Sequence, residues 1–193
     1  MTLNLFNERV HEALRDIPTD DLRHLASVVQ STIDRITDPQ HWTRHRYATS
    51  APAGGGRMLD HIVDSEGLCV FLADADARPN PEVTCLCARG ALHWSILAQV
   101  PADAPINDRL HMRLRYDYAV NDVACAICMH GNPVDIHMLR GRDGVVRVGL
   151  APVNDECGHD AAIYLLRRVK AEIMRTWRNR RIAEAIANQE AQV

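Results

Sequence analysis

The sequence predicts a mainly α fold of the α+β kind: a helical domain with one small β-hairpin, an N-terminal helical pair and a long C-terminal helix. Two observations carry that prediction. Apolar residues recur at helical spacing near both ends of the chain, and an RGRDG turn at 140–144, flanked by IHML and VVRVGL, has glycine at the positions of a tight hairpin.

The first helix is expected over 4–16, with Leu5, Val10, Ala13 and Leu14 on one face. Pro18 interrupts it, and Thr19 or Asp20 caps a second helix to about Ile36, in which Leu22, Leu25, Val28, Val29, Ile33 and Ile36 keep the 3.6 period. Two prolines and Gly54-Gly55-Gly56 make 37–56 read as a linker. A short helix at 57–66 stops at Gly67, LCVFLA is an apolar run of strand length, and ADARPNPE is a turn. EVTC forms a second short strand before a helix from Cys87 to Leu97. After PADAP, Asn107 caps a helix whose stripe is Leu110, Leu114 and Tyr118. Asn121–Asp122 begins or continues it, and Gly131-Asn132-Pro133 ends it.

Asn154 or Asp155 caps the last helix, which runs to about residue 188 with Leu166, Val169, Ile173 and Trp177 on one face. At 1.5 Å per residue such a helix spans about 50 Å, whereas a globule of this length has a radius of gyration of about 16 Å. It must bend, overhang the domain or pack on another chain; overhang or a homodimer contact is the preferred reading. The expected division is 1–56 for the helical pair and linker, 57–175 for a helical domain and 176–193 for the protruding helix end.

With 47% hydrophobic and 24% charged residues, the 193-residue chain has an ordinary globular composition, and a net charge of −3 selects no class of partner. The first residues, MTLNLFNERVHEALRD, lack the basic-then-apolar order of a signal peptide. No apolar run approaches the roughly 18–20 residues of a membrane span. A cytoplasmic location with no membrane partner is expected. There, six cysteines are thiols or metal ligands rather than disulfides.

The segments ADADARPNPEVTCLCARGAL and VNDECGHDAAIYLLRRV resemble DUF6197, a small bacterial and phage domain family of unknown function. The matching residues are Asp74 or Asp76 with Arg78-Pro79, then Cys87-Ala88-Arg89-Gly90-Ala91-Leu92, then Asn154-Asp155. Val153 stands where that family favours tryptophan, and the turn lacks its glycine. The resemblance covers roughly 57–172. It implies a mostly helical domain, a cap at Asn154-Asp155 and a phage or mobile-element setting, with no activity.

Cys85-x-Cys87 and Cys125-x-x-Cys128, with His93, His130 or His159 in reserve, could supply zinc's four ligands. Both pairs lie in apolar stretches, however, and Cys125 and Cys128 share one helical face, as core residues do. Buried thiols and no cofactor are therefore expected. Cys157, in the first turn of the last helix and two residues from His159, is the one place where a thiolate could be stabilised; a capping-turn role is preferred. HEALR lacks the second histidine of a zinc protease, HWTRH lacks the glutamate, and Arg78-Pro79 spoils a calcium loop.

Residues 167–181 hold seven basic side chains and one acid, Glu172. A solvated or protein-docking face explains them best, and phosphate contacts with Trp177 stacking on a base are the alternative. The expected function is a non-catalytic module that binds a protein partner through Arg168, Arg175, Trp177, Arg178 and Arg181. Nucleic-acid binding and a small zinc protein are the competing readings.

Overall fold

A computed structural model describes residues 2–45, 48–49, 58–59, 83–99 and 105–191. Helix α1 (Thr2–Ala13) packs along α4 (Ile106–His130), while α2 (Thr19–Ile36) lies between α3 (Ala88–Gln99) and α7 (His159–Glu190). Three antiparallel strands of two residues each, β1 (Ala48–Thr49), β2 (Met58–Leu59) and β3 (Cys85–Leu86), form a sheet in the order β2-β1-β3. Ala48 pairs with Leu59 on one side and Leu86 on the other. The fold is mainly α, as expected.

Helix α2 follows its sequence closely. All six residues of its apolar stripe are buried, and Asp20 and Asp21 in the first turn with Arg35 in the last complement the helix dipole. The last helix buries Leu166, Val169 and Ile173 as expected, with Trp177 packed at the edge of the core.

Two faces differ from expectation. In α1 it is Phe6, not Leu5, that enters the core with Val10 and Leu14. In α4, Tyr118 is 60% exposed and the buried side carries Tyr116, Ala119, Val120, Val123 and Ile127. That side also contains Arg113 and Asp117, so its polarity masks the period.

The N-terminal pair is not a separate unit. One apolar cluster runs from Phe6 through Leu25, Leu92 and Val123 to Ile173, so a boundary at 56 would cut through a single core. Nor is 39–45 a free linker: Thr43 N donates to Leu86 O, and Trp42 bridges to the same residue. The expected helix at 57–66, strand LCVFLA and ADARPNPE turn lie outside the described residues, apart from β2.

The hairpin survives only as its turn. A single bridge joins Arg140 and Val146, and Gly144 at φ 77° closes the loop in the left-handed region. The residues before it form α5 (Pro133–Met138) instead of a strand. Asn132 accepts from Asp135 N while Asp135 accepts from Asn132 N, and Pro133 is pre-set for the first helical turn. The resulting capping box outcompetes strand pairing.

The expected cap of the last helix is displaced as well. A short turn, α6 (Leu150–Pro152), leads into a π turn, Val153–Cys157, closed by Gly158 N on Val153 O. Gly158, at φ 95°, then redirects the chain into α7, a conformation that a side chain would strain.

Candidate functional site

Freed from capping α7, Asn154 joins two distant segments to its own. It is fully buried, and its Oδ1 accepts from Ala88 N at the start of α3 and from Trp42 Nε1. Its Nδ2 donates to Thr43 O and to Asp155 Oδ1. Asp155 in turn accepts from His45 N through the same oxygen, and its carbonyl accepts from Arg44 Nε. The C-A-R-G-A-L start and the N-D pair therefore meet, with Asn154 capping α3 across space. Every polar atom of that amide is used inside the fold, which makes it a structural node.

A second polar cluster lies between α3 and α4. Arg89 donates to both oxygens of Asp117, at 3.1 and 2.6 Å, and His93 Nε2 lies 3.0 Å from Asp117 Oδ1. Burial alone would raise the Asp117 carboxyl, yet the hydrogen bonds and charges of His93 and Arg89 outweigh it and hold the group at about 2. Burial pushes the His93 imidazole down despite Asp117, so it is neutral at pH 7.

The described cysteine thiols take part in hydrogen bonds within the fold. Cys85 donates to Gln40 O and Cys157 to Leu139 O. Burial pushes Cys87 and Cys128 up to about 11 and raises Cys125 and Cys157. Cys157 ends the π turn ahead of α7, outside the helix amides that would favour a thiolate. Among the described residues no three His, Cys, Asp or Glu side chains are grouped for a metal ion.

The five expected contact residues do not form one surface. Arg168 is drawn inward onto fully buried Asp135, which also accepts from Tyr164, and Arg175 pairs with Glu172 at 2.6 Å. Trp177 is half-buried against the core. Arg181 reaches Glu184 and, more loosely, Asp20. Arg178 is exposed and has no partner among the described residues.

Of the other cations of this helix, Lys170 donates to Gln30 and Arg180 to the carbonyls of Leu14 and Ile17, while Arg167 is exposed and, like Arg178, has no partner among the described residues. Arg168, Arg175 and Arg181 are thus ion-paired with acids, whereas Lys170 and Arg180 are held by neutral acceptors and keep their charge.

Beyond Arg181 the helix leaves the body. Residues 181–191 are exposed on every side, and Ile182 and Ile186, four apart, project from the face opposite the buried stripe, 59% and 50% exposed. Two isoleucines off the core stripe were the available sequence signal.

Nearby, α1 and α4 bound an open groove of about 580 Å³. Ala13 and Ala126 line it together with exposed Tyr118, Asp122 and Met129. Burial, and after it the negative charges of Asp117 and Glu12, raise the Asp122 carboxyl, and no cation binds it among the described residues. Among known proteins, the chain matches no family model, no curated protein and no solved structure.

Proposed function

We propose that the chain is a non-catalytic protein-interaction module whose docking element is the exposed end of α7. The supporting observation is the exposure of Ile182 and Ile186 on a helix end without a core of its own. Apolar side chains exposed on such a helix end are stabilised by a covering surface. Arg178 and Arg181, at the root of the overhang, remain as contacts from the original five. Arg168 and Arg175 act inside the fold. The DUF6197 resemblance adds the biological setting, a cytoplasmic phage or mobile-element accessory factor; a host protein and a second copy of the chain are the two partners open to this end.

A photo-crosslinking residue at position 186, compared with one at exposed Arg142, tests the docking element. Protein adducts should form from 186, not from 142, and should be lost on Ile182→Glu. Equal labelling from the two positions contradicts the reading.

A further inference from the structure

We infer that the surface covering the α7 end belongs to a second copy of this chain: Arg178, Ile182 and Ile186 of one protomer seat in its partner's α1–α4 groove, and the exchange is mutual. The inference rests on the docking reading above and names its partner.

Charge is the first support. Arg178 is an exposed cation with no partner among the described residues, and Asp122 is a groove carboxylate with no cation. The remaining groove charges are engaged within the protomer: Arg9 with Glu12, Arg15 with Asp16, and Arg115 with Asp21. Asp122 and Arg178 are complementary in charge, and pairing them offsets the negative charges of Asp117 and Glu12 beside Asp122.

Spacing is the second. Arg178, Ile182 and Ile186 stand at i, i+4 and i+8 on one face, about 12 Å from first to last. Along α4, Asp122, Cys125–Ala126 and Met129 cover about 10 Å. With Arg178 on the partner's Asp122, Ile182 falls over the small side chains Cys125 and Ala126, and Ile186 meets exposed Met129. Small residues under an isoleucine allow a helix to approach closely, and methionine adapts to the next one.

Placement is the third. The overhang leaves the body where Arg180 holds the carbonyls of Leu14 and Ile17, and Arg15, Asp16 and Ile17 line the same groove. Ridge and groove are thus neighbours on one corner, so a two-fold axis beside that corner exchanges both at once. A stable interface buries roughly 1,200–2,000 Å² in total. Mutual exchange doubles the area that one helix end alone would cover.

Light scattering on the purified full chain across a concentration series tests the inference. The wild type should have the mass of two chains. Arg178→Asp and Asp122→Arg should each halve it, and the double charge-swapped chain should recover it. Ile182→Glu should also yield the monomer. A wild type monomeric throughout overturns the inference, as does a dimer indifferent to all four variants. If the monomer still forms adducts with another protein from position 186, self-association falls and the docking reading stands; if position 186 labels nothing above its control, both fall.

Discussion

Asp117 and His93 show how individual groups set the acid stability of this fold. The imidazole is held neutral, so its folded pKa lies below its ordinary value and the unfolded chain binds the proton first. Stability contributed by His93 is therefore present above about pH 6.5 and is lost as pH falls through that region. The Asp117 carboxylate is held at about 2, so its contribution persists above about 4 and disappears between there and 2. Urea midpoints followed from near neutrality downward should fall in two stages. The lower stage should amount to on the order of 2 kcal/mol, and His93→Gln should flatten the upper one. A midpoint constant between roughly pH 7 and 5, or one that falls identically in the variant, contradicts this assignment.

At the scale of elements, Asn154 gives α3 its start. Removing its side chain leaves the Ala88 amide, the Trp42 indole N–H and the Thr43 carbonyl without their partner. Asn154→Ala should cost about 3 kcal/mol in urea unfolding, since each buried group left unmet costs about 1–3. A loss below roughly 1 kcal/mol, typical of a surface change, would show that the node does not hold these segments together.

Elements governed by local signals were legible in the sequence. The stripe of α2 and the Leu166–Ile173 face of α7 needed only periodicity, and the start of α3 beside Cys87 was placed within one residue. Elements governed by distant partners were not. Asn154 reads as a local cap because its real target lies 66 residues away. The buried face of α4 reads as polar because Arg89 and His93 that compensate Asp117 come from another helix. Asn132-Pro133 with Asp135 was a legible capping box, overridden by the glycine signal beside it.

At the scale of the described residues, one shared apolar core carries a helix end whose isoleucines it does not cover. In α7 most basic side chains turn back onto the body, as with Arg168 on Asp135 and Arg180 on Leu14 and Ile17, while Arg178 and the two isoleucines beyond it face outward. The candidate site was half legible on that account. Arg178 was singled out from composition, but Ile182, Ile186 and Asp122 gain meaning only once the fold shows where the core stops. Backbone amides of exposed, uncovered helix ends exchange with solvent far faster than covered ones. Amide hydrogen exchange on the full chain, compared at low and high concentration, therefore measures most directly whether a second copy covers this end. Protection over 182–190 that grows with concentration, and is absent in Arg178→Asp, is the predicted result. Rapid exchange over 182–190 at both concentrations would contradict it.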